Sequence, residues 1–469
     1  MESVESAYMA ISRFASRHWG DLSWFPLWYT GIPFDRVYQP GLHVAVAALS
    51  LASHWPITVA YHFLTALAYC FGPVALFALC LVATRSLAFA FATALIYSLF
   101  SPISFLVPLL ASDAGGYFHL RNLQILVHYG EGPHMTAVAI LPLAVLFLHR
   151  ALSERRAVPT LLTILAMAAI VITNWPGSIG LSLAIGAYLL AYGDRFRLRQ
   201  WLHLALICVC AYALIMPWIP PSTILSVEGN AQASDGTRIG LLQMILALAI
   251  LLACLLLRPL FRRLKLDDWT VFFLYFLALS GSVVLGYFWF DVRLLPQPHR
   301  FQPELQMALA GVIASAVLAL LGRLDSRSWR LVASFAIFCA CALQLWAGIR
   351  YAHDQIQPID VRSRVEYRMA KAFERLEGSN RVFAPGNVSL WMNMFTNVPL
   401  MNGCCDQSIP SREHRIATYI VYRVPTPLPH AADPSILWLE AYGAHAIGVT
   451  GEHSAAPFRP FLDPGRFQG

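Results

Sequence analysis

Carboxylate, imidazole and guanidinium side chains gather in three short segments, residues 18–41, 113–134 and 296–304, which lie beside long apolar runs. A positioned carboxylate can take a proton from a hydroxyl, and an arginine can bind a phosphate through two parallel hydrogen bonds. Ionisable groups at the edge of membrane-spanning segments are costly to bury and are often functional. These segments therefore predict a site for acid–base and phosphate chemistry.

The first segment is dense in Trp, Tyr, Pro and Gly and carries two carboxylates, Asp21 and Asp35. Its three tryptophans, Trp19, Trp24 and Trp28, are typical of an aromatic belt at a membrane interface. The alternative is the wall of a cleft with Asp21 as the carboxylate at its floor. The sequence leaves both interpretations open.

The second segment holds Asp113, Arg121, Glu131 and His134. A solvated loop would explain most of these residues one by one. Glu131 and His134, however, open an apolar run, and a carboxylate is favoured near a helix N-terminus.

The third segment places His299, Arg300 and Glu304 within six residues at the mouth of another apolar run. This group could hold a phosphate. The alternative is a snorkelling arginine followed by a glutamate at a helix start.

The elements that must position these residues are membrane helices. Hydrophobic residues make up 58% of the chain, charged residues only 13%, and the mean hydropathy is +0.57. Soluble domains carry about 25% charged residues. The net charge of +7 does not indicate nucleic acid as a partner, because the charges form short clusters and no basic face.

A spanning helix needs roughly 20 apolar residues. Ten runs qualify approximately, namely 56–83, 87–110, 134–150, 158–173, 177–192, 202–219, 239–257, 270–290, 305–322 and 331–349. Residues 41–53 are too short to span and predict an interfacial or re-entrant helix.

Orientation follows from the distribution of Arg and Lys among the loops, because cytoplasmic loops are the basic ones. Every basic cluster falls on one side of the ten spans, namely Arg85, Arg150–Arg156, Arg195–Arg199, Arg258–Lys265 and Arg323–Arg330. We therefore expect residues 1–55, 111–133, 220–238, 291–304 and the C-terminal tail to face outward from the cytoplasmic (inner) membrane.

The fold class predicted is an all-α polytopic bundle with a small α/β or α+β extracytoplasmic domain. We expect a first loop with an interfacial helix at 1–55, a transmembrane domain at 56–350 and the outer domain at 351–469. In the tail, 352–377 predicts helix, while RVFAPG, SLWMNMFTNVPLMNG and HAIGVTGE predict short strands and turns.

No cofactor or metal is predicted. The histidines form no HxH or HExxH pattern, no phosphate-binding glycine loop follows a strand, and the vicinal Cys404 and Cys405 lack a CxxC partner.

Short motifs in these segments resemble bacterial membrane proteins of the GT-C glycosyltransferase superfold. The nearest resemblance is to the "6-pyruvoyl-tetrahydropterin synthase-related" membrane proteins. The motifs are Trp24-Phe-Pro-Leu-Trp28 with Gly31-Ile-Pro33, Tyr38-Gln-Pro40, Gly130-Glu-Gly-Pro133, Arg300-Phe301 and Asn402-Gly-Cys-Cys-Asp-Gln407. Such proteins usually begin with a span before the first loop, and the tail has no closing element. We therefore expect this sequence to be incomplete at one or both ends.

The resemblance implies an inverting transfer of a sugar from a polyprenyl-phosphate carrier to an acceptor at the outer face of the membrane. It implies Asp21 as general base, Glu131 as a second acid and Arg300 as the phosphate ligand. The other residues expected to line the substrate site are Trp24, Trp28, Asp35, Asp113, Arg121, His134 and His299.

Two alternatives stay open. One is a non-catalytic protein of the same fold that serves envelope assembly. The other is a transporter or flippase for a lipid-linked substrate, which the near absence of ionisable residues in mid-span disfavours. The sugar, the acceptor, the metal requirement and the oligomeric state are not determined by the sequence.

Overall fold

The chain is an α-helical polytopic membrane protein with a small content of β-sheet. Its structure, a computed structural model, describes residues 3–234, 240–324, 326–376, 381–409, 411–423 and 433–449. Contacts divide the chain into two compact units. Unit 1 comprises Met1–His62, Trp218–Ser234 and Pro358–Gly469, and unit 2 comprises Phe63–Pro217 and Asp235–Gln357.

The helices of the described residues, in chain order, are α1 (Glu5–Arg17), α2 (Gly41–Ser53), α3 (Ile57–Thr84), α4 (Leu87–Leu99), α5 (Pro102–Leu106), α6 (Pro108–Ala114), α7 (Arg121–Val127), α8 (Gly132–Glu154), α9 (Ala157–Thr173), α10 (Trp175–Tyr192), α11 (Leu198–Ile215), α12 (Pro221–Ser234), α13 (Leu241–Arg263), α14 (Asp268–Phe290), α15 (Gln302–Gly322), α16 (Arg327–Gln355), α17 (Val365–Arg375), α18 (Gly386–Phe395), α19 (Arg412–Arg423) and α20 (Asp433–Ala441). The strands are β1 (Trp24–Phe25), β2 (Ile32–Pro33), β3 (Arg381–Phe383) and β4 (Ala444–Ile447).

Unit 2 is a bundle of apolar helices. Eight helices among the described residues are long and apolar enough to cross a membrane: α3, α8, α10, α11, α13, α14, α15 and α16. Helix α8 packs on α9, and α14 packs on both α10 and α15. In their most apolar windows only 6% of α13 and 11% of α16 is buried. These two helices therefore turn almost all their apolar surface outward, as lipid-facing helices do.

Ten helices correspond to the ten predicted spans, but two are shorter than a full crossing. Helix α9 has 17 residues and α4 has 13. The predicted span 87–110 is wrong, because the chain leaves α4 at Phe100 and restarts as two short helices at Pro102 and Pro108. Proline lacks the N–H that would continue a helix and favours a new first turn.

Unit 1 is assembled from three separated stretches of chain. Helix α1 packs on α2 and α18, and α17 packs on α18. The Arg13 guanidinium donates to the Asn393 carbonyl at 2.9 Å, and the Asn230 amide donates to the Ile409 carbonyl at 3.0 Å. Strands β3 and β4 pair in parallel, and β1 and β2 pair antiparallel.

One prediction in unit 1 is wrong. Residues 389–395, predicted as strand and turn, belong to helix α18, because Val388, Trp391 and Met392 supply a buried face. The segment 220–238, predicted as an outward connection between spans, contains helix α12 up to Ser234. The predicted strands at RVF and HAI are confirmed, while the end of the HAIGVTGE segment and the chain terminus lie outside the described residues. Contacts place the first segment and the tail in one unit, whereas the predicted boundaries treat them as separate regions.

Replacing Trp28 with Phe should destabilise unit 1. The Trp28 side chain is fully buried, and its indole N–H donates to the Asn393 side-chain oxygen at 2.8 Å. The shorter ring would leave a void and an unsatisfied buried acceptor, at a cost of about 2–4 kcal/mol. Thermal unfolding of the purified protein would measure this. The same change at Trp19, which is 53% exposed, is the control and should leave the transition within error. Equal unfolding temperatures of the Trp28→Phe and Trp19→Phe variants would contradict the burial of Trp28.

Candidate active site

The candidate site is built where three helices of unit 2 begin. Helices α8, α10 and α15 each carry a proline in the first turn, at Pro133, Pro176 and Pro303. Proline suits this position because its fixed φ is helical and its missing N–H would have no partner there. The first turns of these helices, and the residues just before them, bring ionisable groups into contact.

Glu131 and Arg300 form an ion pair at this point. The Arg300 Nη2 atom lies 3.1 Å from Glu131 Oε1, and the side chains are 21% and 13% exposed. Glu131 precedes α8, and Gly130 before it adopts φ +74°, a left-handed conformation that favours glycine. Arg300 lies in the 3-10 turn Pro298–Phe301 that leads into α15. The pair is partly open, so a ligand anion could reach the guanidinium.

His134 and Glu304 form a second pair that is fully buried. The His134 Nε2 atom lies 3.5 Å from Glu304 Oε2, with side chains 1% and 0% exposed. The other ring nitrogen, Nδ1, lies 3.0 Å from Asn174 Oδ1. That oxygen also accepts from the backbone N–H of Gly177. It is therefore an acceptor, and Nδ1 carries the proton that points to it.

A carboxylate buried without compensation in an apolar bundle is costly. The His134 ring is the ionisable group that the buried Glu304 carboxyl meets, at 3.5 Å. This buried pair lies at the starts of the same two helices, α8 and α15, that the Glu131–Arg300 pair precedes.

A larger network surrounds the buried Arg121. Its Nε atom donates to Gln302 Oε1 at 2.9 Å, and its Nη1 atom contacts both Asp113 and Gln124. Burial alone would raise the pKa of Asp113, but hydrogen bonds from Tyr129 and Arg121 outweigh burial and hold this pKa below its usual value. Asp113 is therefore an anion at neutral pH and compensates the buried guanidinium.

Gln302 connects this network to the arginine of the site. Its amide oxygen accepts from Arg121, and its amide nitrogen donates to the His299 carbonyl at 2.7 Å. His299 directly precedes Arg300. Since both ends of the amide are used, Gln302 ties the Arg300 turn to the buried ion pair of Arg121 and Asp113.

The structure thus places Asp113, Arg121, Glu131, His134 and Arg300 of unit 2 in three sets of contacts, and residues 299–304 contribute a member to each set. The His299 backbone carbonyl takes part, whereas the His299 ring is exposed, 6.1 Å from the ring of Tyr287.

The remaining predicted site residues lie in unit 1. Asp21 is exposed and accepts hydrogen bonds from the Ser23 hydroxyl and backbone N–H, which lower the pKa of its carboxyl group. Asp35 lies 3.5 Å from the Arg36 guanidinium. Trp24 is half exposed and covers Gly31, while Trp28 is a core residue.

Sequence reasoning missed the uncharged residues of these contacts, namely Gln124, Tyr129, Asn174 and Gln302, and the neighbouring amide pair of Asn122 and Gln306. One available signal was the i,i+4 spacing of Gln302 and Gln306, which places two amides on one face of an apolar helix. No cluster of three metal-ligating side chains occurs among the described residues.

Comparisons with known proteins find likenesses among solved structures. No family model matches the chain, and no curated protein matches its sequence. Among solved structures, the chain is similar to ArnT from Cupriavidus metallidurans, crystallised with undecaprenyl phosphate. The identity is 17%, the match covers 95% of this chain and 82% of that chain, and the TM-score is 0.44.

The close contact between α10 and the buried carboxylate gives a stability prediction. A Cβ at Gly180 would lie 2.3 Å from Glu304 Oε1, so Gly180→Ala forces the buried pair apart and should cost about 1–3 kcal/mol. Gly186→Ala in the same helix is the control, because its Cβ would meet only Leu279 at an ordinary 3.5 Å. Melting temperatures of the purified variants would show the difference. A Gly180 variant as stable as the Gly186 variant would argue against this packing.

Proposed function

We propose that this protein is a GT-C-like glycosyltransferase that moves a sugar from a polyprenyl-phosphate carrier to an acceptor hydroxyl at the outer face of the cytoplasmic membrane. The donor class comes from the sequence resemblance. The observation that supports a reaction centre most directly is the Glu131–Arg300 pair at the start of α8. This pair is partly exposed, and buried polar contacts lie on the helix starts beside it.

Arg300 would bind the phosphate of the carrier. A guanidinium presents a planar fork of donors that suits a phosphate, and it stabilises the charge that develops on the leaving group. In the structure it rests against Glu131. A bound phosphate would replace that carboxylate as its partner and release Glu131 to contact the sugar or the acceptor.

In the transfer step the acceptor oxygen forms a bond to the anomeric carbon of the sugar. The bond from that carbon to the phosphate oxygen breaks, and the phosphate leaves with the electron pair. The acceptor proton passes to a carboxylate, for which Asp21 is the proposed base and Glu131 the second acid.

Single substitutions test the reaction centre. We expect Arg300→Ala to lower sugar transfer about 100- to 1000-fold and Asp21→Asn or Glu131→Gln about 100-fold or more. The assay follows a labelled sugar from a polyprenyl-phosphate donor into membrane lipid or polysaccharide in proteoliposomes. The matched controls are Asp291→Asn and Arg293→Ala, which change an exposed ion pair after α14 and should leave transfer unchanged.

If each of the three single variants still transfers sugar at the wild-type rate, Arg300, Asp21 and Glu131 do not form the reaction centre. A wild-type protein that transfers no sugar from any such donor, but binds or moves the carrier, would favour the non-catalytic or transport alternative.

Gln302 should act as a positioning residue for Arg300. Gln302→Met removes both the contact with Arg121 and the donation to the His299 carbonyl, so the Arg300 turn loosens. We expect KM for the polyprenyl donor to rise about tenfold with a smaller change in kcat. Gln306→Met is the control, because Gln306 lies one turn further along α15 and donates to Asn122 instead. A KM that rises equally in both variants would indicate only a general loosening of α15.

A further inference from the structure

A polar cavity lies at the end of α8 that is remote from the candidate active site. Its volume is about 340 Å³, and it is found between the C-terminal ends of α3 and α8. Its polar lining consists of Arg85, His149, Arg150, Ser153 and Glu154, and two apolar residues of the last turns of α3, Leu81 and Val82, complete it. The cavity therefore combines cations with a short apolar wall.

This cavity is distinct from the candidate active site. Helix α8 has 23 residues and rises about 1.5 Å per residue, so its two ends are roughly 30 Å apart, close to the thickness of a bilayer core. Glu131 precedes the first residue of α8, whereas Glu154 is the last. A phosphate bound at Arg300 could not reach this cavity.

Positive charge is in excess around the cavity. The exposed Arg85 side chain makes no hydrogen bond or ion pair within the described part of the chain. Arg150 Nε lies 3.9 Å from Glu154 Oε1, and Arg156 Nη1 lies 3.8 Å from Glu154 Oε2. Glu154 is thus the carboxylate that Arg150 and Arg156 share, at 3.9 and 3.8 Å. Arg85 has no carboxylate partner among the described residues.

Three arginines in other connections of unit 2 meet carboxylates at shorter range. Arg195 makes two short hydrogen bonds to Asp268, and Arg258 and Arg262 both contact Asp194. The His149 ring, which also lines the cavity, is held through its Nδ1 atom by the Tyr188 hydroxyl at 3.1 Å. Among the cations that line the cavity, Arg85 has no carboxylate partner in the described part of the chain, and Arg150 shares Glu154 with Arg156.

We propose that this cavity binds a phosphate-bearing anion, either as the headgroup of an acidic phospholipid or as a free phosphate. The carbonyl ends of α3 and α8 carry partial negative charge, so the anion must contact the guanidinium groups directly. Two arginines can bind a phosphate through charge-assisted hydrogen bonds. The apolar wall of Leu81 and Val82 would contact the part of a lipid that follows its headgroup.

Binding to the purified full-length protein in detergent tests this inference. The probes are phosphatidylglycerol, phosphatidylcholine and inorganic phosphate, with retained lipid counted by native mass spectrometry and phosphate followed by competition. We expect saturable binding of phosphatidylglycerol in preference to phosphatidylcholine. The double variant Arg85→Ala with Arg150→Ala should weaken it about fivefold. Added salt should weaken it further, because exposed charges are screened.

Two further variants separate a binding site from a folding effect. Glu154→Gln removes the carboxylate that competes with the anion, so binding should become tighter, which a merely structural role would not produce. Arg330→Ala, in the exposed first turn of α16, removes a cation that does not line the cavity and should change nothing.

The competition arm identifies the source of the anion. Displacement of the lipid by inorganic phosphate would support a site for the phosphate alone, and lipid retained against phosphate would support a headgroup site. Binding that is unchanged in the double variant, or that falls equally in Arg330→Ala, would overturn the proposal.

Discussion

The pairing of charges at the starts of apolar helices is the constraint on which unit 2 depends. A carboxylate or guanidinium between helices that contact lipid cannot be solvated by bulk water, so each must meet a partner of opposite charge or a hydrogen-bonding amide. Glu304 meets His134, and Arg121 meets Asp113 and two glutamines. These contacts fix the relative positions of α6, α7, α8, α10 and α15, because each pair joins two different helices or the turns before them.

The two ion pairs of the site differ in how accessible they are to solvent. The His134–Glu304 pair is fully buried, and it packs against Gly180, where any larger residue would collide with the carboxyl group. The Glu131–Arg300 pair lies beside it and is partly open. The buried pair can hold α8 and α15 in position, whereas Arg300 in the accessible pair can exchange Glu131 for a ligand. This division supports the proposal that Arg300 meets the phosphate of a donor while the buried residues hold it in place.

Unit 1 joins the first segment of the chain to its tail. Trp28 is buried against the Asn393 side chain, and Arg13 donates to backbone carbonyls at the end of α18. Such side-chain-to-backbone bonds satisfy polar groups where the chain leaves regular structure. An aromatic residue predicted to line a substrate cleft is thus a core residue, whereas Trp19 and Trp24 remain exposed.

The sequence determined the membrane class, the approximate location of ten helices and three segments in which chemistry could occur, because apolar length and charge clustering are local properties. It predicted Glu131, His134 and Arg300 as site residues, and all three meet at the contacts between residues 299–304 and the start of α8. Tertiary structure decided which charges pair, which pair is open, and that Gln302 and Asn174 take part in these contacts. It also turned residues 389–395 into a helix. Such outcomes depend on contacts between residues far apart in the chain, where burial and partner geometry outweigh local preference.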